Sequence, residues 1–161
     1  MMQLRAGVFP IHPGDFPHVV DVWEASVRAT HHFVNEADIQ LFRPLVRDAL
    51  PQFALLASVR DTTDRVAGFI AVAHGKVEML FLHPSVRGQG AGRRLLTHAI
   101  TVFDATSLDV NEQNQQAVRF YLHMGFEVAG RSERDGTGKP YPLLHLRLRP
   151  ALEGVQGVPA R

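Results

Sequence analysis

The sequence predicts one domain of the α/β (α+β) class, in which a mixed sheet packs against helices and a ligand-binding loop joins one strand to one helix. Three apolar segments follow one another across short turns, which favours an antiparallel meander. They are residues 53–60, 66–73 and 77–82. A glycine- and arginine-rich stretch, residues 87–94, comes directly after the third strand and opens an amphipathic helix that runs to about residue 103.

Two helices are predicted before this meander. The first begins at residue 14 or 15 and runs to about residue 30, with apolar residues at three- and four-residue spacing. The second spans residues 36–50 and contains Pro44, which we expect to kink or split it. A short strand is predicted at residues 3–6, and His31 and His32 lie in the irregular joint between the two helices.

The chain after the loop alternates between strands and a helix. A strand is predicted at residues 108–110, a helix at 114–124, and two strands at 127–131 and 143–149. Gly125 stands where a left-handed residue commonly ends a helix. We expect residues 1–150 to form the domain and residues 151–161 to form a loosely ordered tail.

Composition narrows the class of protein. Of the 161 residues, 45% are apolar and 20% are charged, which is ordinary for a globular domain with a real core. The absence of cysteine excludes disulfides, thiolate metal sites and a cysteine nucleophile. There is no apolar run of membrane-spanning length and no apolar signal-peptide core, so we expect a cytoplasmic protein. A net charge of +1 indicates neither a nucleic-acid nor a membrane partner, and the nine histidines contain no His-Glu-x-x-His metal motif.

The glycine- and arginine-rich stretch has the chemistry of an anion site. Glycines remove side chains where a ligand must approach the backbone, and free N–H groups at a helix N-terminus favour an anion. Three arginines crowd this end, where each cation costs about 0.3–1 kcal/mol, so a bound polyphosphate would offset the cost. They are Arg87, Arg93 and Arg94. The structural alternative is a surface turn that caps an ordinary helix.

Two nucleotide-binding motifs do not fit this stretch. A P-loop requires a lysine after its glycines, and a dinucleotide motif requires Gly-x-Gly-x-x-Gly, whose last position would here be Arg93 or Leu95. The pattern that fits is Arg-x-x-Gly-x-Gly over residues 87–92. This pattern resembles the coenzyme A pyrophosphate loop of the GCN5-related N-acetyltransferases (GNAT).

A second motif resembles the same family. Residues 114–126 contain Asn-x-x-Ala-x-x-Phe-Tyr followed by Gly-Phe, which in the family forms the helix beside the thiol end of the cofactor. The resemblance covers roughly residues 3–149 and has both motifs in the family's order. Residues 110–114 and 138–144 also resemble the bacterial YjaB-type subgroup.

The resemblance implies a fold and a cofactor site. The fold would be a mixed, mostly antiparallel sheet of six to seven strands flanked by about four helices. The cofactor would be acetyl-CoA, with its pantetheine arm along the strand before the loop and its pyrophosphate in the loop. The residues implied in cofactor binding are Leu80, Phe81, Leu82, Val86, Arg87, Gly88, Gln89, Gly90, Ala91, Gly92, Arg93, Asn114 and Tyr121.

Catalytic roles follow from the resemblance and remain open in part. Tyr121 is the candidate general acid for the departing sulfur, although it could instead be a core tyrosine bonded to a carbonyl. Glu78 is a candidate general base whose pKa would be raised by partial burial, or else an outward-facing strand acid. His31, His32 and Tyr141 are candidates for the acceptor site. Asn114 could bond the cofactor arm, cap its helix, or do both.

The function that these features predict is acetyl-CoA-dependent N-acetyl transfer to a primary amine, on a small molecule or a protein lysine. Because the chain has no cysteine to carry an acetyl group, we expect direct attack in a ternary complex. The alternatives are a non-catalytic acyl-CoA sensor of the same fold and an enzyme that binds nucleotide phosphates. The resemblance leaves a homodimer open.

Overall fold

Six strands form one sheet in the computed structural model, which describes residues 2–150. They are β1 (Leu55–Arg60), β2 (Val66–Ala73), β3 (Lys76–Leu82), β4 (Ser107–Asn111), β5 (Phe126–Ser132) and β6 (Leu143–Leu148). Their order across the sheet is β1-β2-β3-β4-β6-β5, and β3–β4 is the parallel pair. The predicted tail at residues 151–161 lies outside the described residues.

Four α-helices accompany the sheet. They are α1 (Phe16–Thr30), α2 (Glu36–Ala49), α3 (Ala91–Thr101) and α4 (Gln115–His123). α2 continues through Pro44, so the expected split is wrong. The proline removes a single hydrogen bond to the carbonyl of Gln40, an exposed residue where water can replace it. Gly125 follows α4 at a φ of 102°, which confirms its predicted place.

The strand predicted at residues 3–6 is wrong. Only Leu4 forms an isolated bridge there, with Asp61 at the end of β1. Gly7, at a φ of 103°, turns the chain before a second bridge forms between Phe9 and Ser58. The segment therefore runs along the edge of β1 with interrupted antiparallel pairing, as in the bond from the N–H of Arg5 to the carbonyl of Arg60 at 2.8 Å, and it forms no continuous strand.

Each face of the sheet has its own apolar core. α3 and α4 cover one face, where the fully buried residues include Leu95, Leu96, Phe126 and Leu146. α1 and α2 cover the other face over Val19, Trp23, Leu50 and Phe69. Because β2 is buried from both sides, its sequence is a continuous apolar run without alternation.

The β3–β4 pair opens along its length. Only two pairs join these strands, Lys76 with Ser107 and Val77 with Leu108. Beyond them β3 pairs only with β2, and β4 only with β6, in the part of the chain that the structure describes. The gap between the two strands is the position of the functional site. Within residues 2–150, no helix is long and apolar enough to cross a membrane.

Candidate active site

A cavity of about 420 Å³ lies at the gap between β3 and β4. Its walls come from the end of α1, the last residues of β3, the loop before α3, and α4. The residues that line it are Ser26, Thr30, His31, Leu80, Phe81, Leu82, Arg87, Gly88, Gly90, Ala91, Gly92, Arg93, Asn114, Gln116, Ala117, Phe120 and Tyr121. The two sequence motifs therefore lie in one cavity, although they are separated in the chain by α3 and β4.

The loop before α3 presents free backbone donors. Gly88 and Gly90 have φ values of 77° and 76°, in the left-handed region that favours glycine. The N–H groups of Gly88, Gln89 and Gly90 have no hydrogen-bond partner within residues 2–150. A Cβ added to Gly88 or Gly90 would meet no atom within 4 Å, so the space beside the loop is open to a ligand. Successive free amides of this kind form an anion-binding concavity.

Gly92 serves packing instead. A Cβ at this position would lie 3.4 Å from Cζ of Phe120 and 3.7 Å from Cδ1 of Leu82. These are ordinary van der Waals distances, so the first turn of α3 packs closely against α4 and β3 at this position. This contact brings the loop and the second motif onto the same cavity.

The three arginines of the loop have different partners. Arg87 and Arg93 line the cavity, and neither pairs with a carboxylate among the described residues. Nη1 of Arg87 lies 3.5 Å from Oε1 of Gln116 on α4. Arg94 instead donates to the carbonyls of Arg5, at 2.8 Å, and Gly7, at 3.3 Å. The expectation that all three arginines face the polyphosphate is wrong for Arg94, which ties the N-terminal segment to α3.

Val86 and Gln89 support the loop from outside the cavity. Val86 is fully buried and its N–H donates to the carbonyl of His83 at 3.1 Å, so neither its side chain nor its amide faces the cavity. The side chain of Gln89 donates to the carbonyl of Met2 at 2.8 Å, and only its backbone N–H stays free. The N-terminal segment thus holds the loop through Gln89 and Arg94.

Tyr121 reaches the cavity from a packed position on α4. It is 8% exposed, and its ring packs against Phe120 and Phe126 at centroid distances of 5.3 and 6.1 Å. Its hydroxyl bonds to no group of the described chain, so the alternative of a core tyrosine bonded to a carbonyl is wrong. Burial raises the pKa of Tyr121, which keeps the hydroxyl protonated near neutral pH.

Asn114 combines two roles that the sequence left open. Its Oδ1 accepts from the N–H of Ala117 at 3.3 Å, so it caps α4. The same residue lines the cavity, and its side-chain NH2 has no partner elsewhere in residues 2–150. The cap holds this donor group in place at the wall.

Glu78 lies outside the cavity. It is the extra residue of a β-bulge, because Ala71 pairs with Met79 while Val72 pairs with Val77. The bulge leaves Glu78 exposed, so the expected partial burial of this residue is wrong. The geometry matches the alternative of an outward-facing acid.

His31 lies in the cavity wall directly after α1. The hydroxyl of Thr30 donates its proton to the carbonyl of Ser26 at 2.7 Å and lies 2.8 Å from Nδ1 of His31. Because the Thr30 hydroxyl has already donated its proton, it can only accept a hydrogen bond from Nδ1 of His31. We therefore assign the imidazole proton to Nδ1, and Nε2 carries a lone pair. Burial, and then the charges of Arg87 and His32, lower the pKa of His31 to about 4. The imidazole is therefore neutral at neutral pH.

The other acceptor candidates lie near the cavity but not in its wall. His32 is exposed. Tyr141 is buried, and its hydroxyl donates to the carboxylate of Asp38 at the start of α2. Its ring lies 5.9 Å from that of Phe33, which lies 5.2 Å from the His31 ring. A chain of aromatic rings thus connects the cavity to the segment before β6.

Comparison with known proteins decides the family. The model of the acetyltransferase (GNAT) domain matches residues 31–140, which include both motifs and the cavity wall from His31 to Tyr121. The chain belongs to the GNAT acetyltransferase family. Similarity to characterised relatives extends over most of the chain, so this protein is an N-acetyltransferase.

Two of the relatives are proteins named YjaB. The acetyltransferase is 46% identical to the peptidyl-lysine N-acetyltransferase YjaB of Salmonella typhimurium, over 80% of this chain and 88% of that protein. It is 44% identical to YjaB of Escherichia coli, over 80% and 86% of the two chains. These matches confirm the resemblance to the YjaB-type subgroup.

Solved structures agree with the fold. The solution structure of apo YjaB from Escherichia coli has a TM-score of 0.80 and 39% identity, covering 88% of this chain and 95% of that one. A PaiA N-acetyltransferase from Thermoplasma acidophilum, solved in complex with coenzyme A, has a TM-score of 0.68 at 18% identity, covering 92% and 100%. The second likeness shows the fold alone. Together they confirm the predicted sheet flanked by four helices.

Sequence reasoning missed several residues of the acetyltransferase site. Ser26 and Thr30 lie one helical turn apart and Thr30 directly precedes His31, so their spacing could have indicated a hydroxyl that orients the imidazole. Gln116 lies inside the second motif and contacts Arg87. No local signal could have indicated the contacts of the N-terminal segment, because their partners lie far away in the chain.

We expect coenzyme A to raise the pKa of His31 in the acetyltransferase. The positive charge of Arg87 disfavours protonation of the His31 ring, and negative phosphates bound beside Arg87 would offset part of that charge. NMR titration of the His31 ring with and without coenzyme A measures the shift, and Arg87→Gln should abolish it. An unchanged pKa on binding would contradict this prediction.

The same titration affects stability. The folded pKa of about 4 lies below the ordinary value of 6.5, so the unfolded chain binds more protons between these values. The free energy of unfolding should therefore fall as the pH drops through this window, by up to about 3 kcal/mol from His31 alone. His31→Gln should remove that part of the pH dependence in urea unfolding.

Proposed function

We propose that this enzyme transfers the acetyl group of acetyl-CoA to the side-chain amine of a lysine in another protein, by direct attack in a ternary complex. One observation carries the proposal: a single cavity joins the free amides and arginines of the loop to Tyr121 and to His31. An anion site, a proton donor and a proton acceptor are the groups that this transfer requires.

The residues present fit coenzyme A. The amides of Gly88, Gln89 and Gly90, with Arg87 and Arg93, would bind the phosphates. The end of β3, Leu80 to Leu82, and the free NH2 of Asn114 line the path that the pantetheine arm would take. When bound, the cofactor supplies an acetyl group activated as a thioester. Phosphate binding far from the reacting atoms holds that group in place.

Proton movement falls to two side chains. The acceptor amine must lose a proton, and Nε2 of His31 is a neutral acceptor in the cavity wall. Tyr121, kept protonated by burial, would donate its hydroxyl proton to the departing sulfur. We propose His31 as the base in place of Glu78, because Glu78 is exposed on a bulge outside the cavity.

The relatives support the choice of acceptor. Two proteins at 44% and 46% identity over most of the chain carry the name peptidyl-lysine N-acetyltransferase. The absence of cysteine supports direct transfer without an acetyl-enzyme. A cytoplasmic location stays a prediction of the sequence, and a homodimer stays open.

A panel of amines tests the proposal. N-terminally blocked peptides with one lysine, the same peptides with arginine in its place, free α-amine peptides and polyamines are each incubated with enzyme and acetyl-CoA. Thiol release and mass spectrometry measure acetylation. We expect the lysine peptides to react at least about tenfold faster than the other amines, because a specific site discriminates by orientation.

Two results would contradict the proposal. Preference for a polyamine or an α-amine would make the acceptor a different class. If coenzyme A bound in calorimetry while no amine was acetylated, the protein would be an acyl-CoA sensor.

A further inference from the structure

Lysine is rare in this chain. The chain contains two lysines, Lys76 and Lys139, and fifteen arginines. Their side chains are equally exposed, at 37% and 38%, and each ammonium pairs with one aspartate. The two lysines are therefore a matched pair for asking which amine of the enzyme can itself accept an acetyl group.

The two ion pairs differ in geometry. Nζ of Lys76 lies 2.7 Å from Asp109, which also bonds His145. Asp109 raises the pKa of Lys76, so that amine stays charged and held. Nζ of Lys139 lies 3.3 Å from Oδ1 of Asp38, and a single partly exposed pair of this kind contributes little free energy. Lys139 can leave its partner more easily than Lys76.

The second oxygen of Asp38 has its own donor. The hydroxyl of Tyr141 bonds Oδ2, so Asp38 keeps a hydrogen bond when Lys139 departs. A buried carboxylate without any partner would be costly, and the bond from Tyr141 spares Asp38 that cost when Lys139 departs. Departure of the Lys139 amine is therefore compatible with the rest of the structure.

Lys139 belongs to the segment that a chain of aromatic contacts connects to the cavity wall. Tyr141, two residues further on, packs against Phe33, and Phe33 packs against His31 in the cavity wall. Lys76, by contrast, lies at the start of β3, where β3 and β4 are still paired. Only one of the two lysines thus belongs to a segment that borders the proposed acceptor side.

We propose that Lys139 is a self-acetylation site of this enzyme. The inference rests on the proposed lysine acetyltransferase function. The uncharged amine of Lys139 attacks the carbonyl carbon of the acetyl group, the new N–C bond forms and the C–S bond breaks. The ammonium form loses two protons in all, of which one goes to the departing thiolate and one to solvent. The acetylated side chain is neutral, so the ion pair that joins residues 133–142 to Asp38 is lost.

Mass spectrometry with a labelled acetyl group tests the site. The full chain is incubated with deuterated acetyl-CoA and a lysine peptide, and the label is quantified on Lys139, Lys76 and the peptide. A chemical acetylating reagent on the same folded chain gives the intrinsic reactivity ratio of the two lysines. We expect the enzymatic ratio of Lys139 to Lys76 to exceed the chemical ratio at least about tenfold.

Two further variants separate catalysis from simple exposure. Tyr121→Phe should reduce labelling of Lys139 at least about tenfold, because acetyl transfer to Lys139 then lacks its general acid. Lys139→Arg should abolish most label on the chain, whereas Lys76→Arg should retain it, and arginine keeps the ion pair in both.

Three outcomes are decisive. Equal enzymatic and chemical ratios, or labelling that survives Tyr121→Phe, would overturn the self-acetylation site. An acetylated peptide with unlabelled Lys139 would overturn it and leave the proposed function standing. If neither the peptide nor the chain were labelled while coenzyme A bound, the proposed function itself would fail.

Discussion

Tyr121→Phe is expected to lower kcat for lysine peptides by about 100-fold or more, the usual contribution of a positioned general acid. The change removes only the hydroxyl, which bonds to no other group of the described chain and lies at the cavity. The phenylalanine ring should keep its packing against Phe120 and Phe126. The affinity for coenzyme A and the free energy of unfolding should therefore change little.

Steady-state kinetics and calorimetry measure this prediction, and the second tyrosine of the chain is its matched control. Tyr141→Phe also removes one hydroxyl, but that hydroxyl bonds Asp38 and lies outside the cavity wall. We expect Tyr141→Phe to lower the free energy of unfolding by about 1–3 kcal/mol, because the buried carboxylate of Asp38 loses a hydrogen-bond donor. A kcat for Tyr121→Phe within about twofold of the parent would contradict the general-acid role.

Arg87→Ala and Arg93→Ala are each expected to weaken coenzyme A binding by about 10- to 100-fold, since a hydrogen bond to a charged group contributes about 1.5–3 kcal/mol. Both guanidinium groups line the cavity without a carboxylate partner within residues 2–150. The loss should shrink at high salt, which screens the phosphate interaction. Calorimetry at two salt concentrations measures both effects.

Arg94→Ala is the control for this pair. Arg94 lies in the same helical turn, but its guanidinium is already used by the carbonyls of Arg5 and Gly7. Its removal should lower thermal stability and leave coenzyme A affinity within about threefold of the parent. Equal loss of affinity in all three variants would show that the loop attracts the cofactor by net charge alone.

Much of the fold could be predicted because its signals are local. The apolar run of β2 and the helical spacing of α1 and α2 involve neighbours within one or two turns of the chain. Gly125 could be assigned to the end of α4 for the same reason, since only a left-handed residue fits there. The failed strand at residues 3–6 shows the limit, because the turn at Gly7 interrupts its pairing with the distant strand β1 and leaves only an isolated bridge.

The candidate site shows the same division. Its loop could be named from residue types and spacing and Tyr121 from the resemblance to the GNAT family, and the cavity brings them together. Glu78 could not be judged, because a bulge of one residue decides the face to which a strand residue points. The tautomer of His31 likewise depends on the hydroxyl of Thr30, which donates its proton to the carbonyl of Ser26.

By itself, the sequence determined the fold class and the anion-binding loop, because periodicity and glycine conformation are properties of adjacent residues, and the family resemblance supplied Tyr121 as the acid candidate. Only the tertiary structure decided which arginines have no carboxylate partner among the described residues, and that His31 lines the cavity while Glu78 does not. These outcomes depend on partners distant in the chain, such as the bond from Arg94 to Arg5 across 89 residues. The sequence gives the charge of a side chain. Whether that side chain is free to bind a ligand depends on its contacts with residues that are distant in the chain.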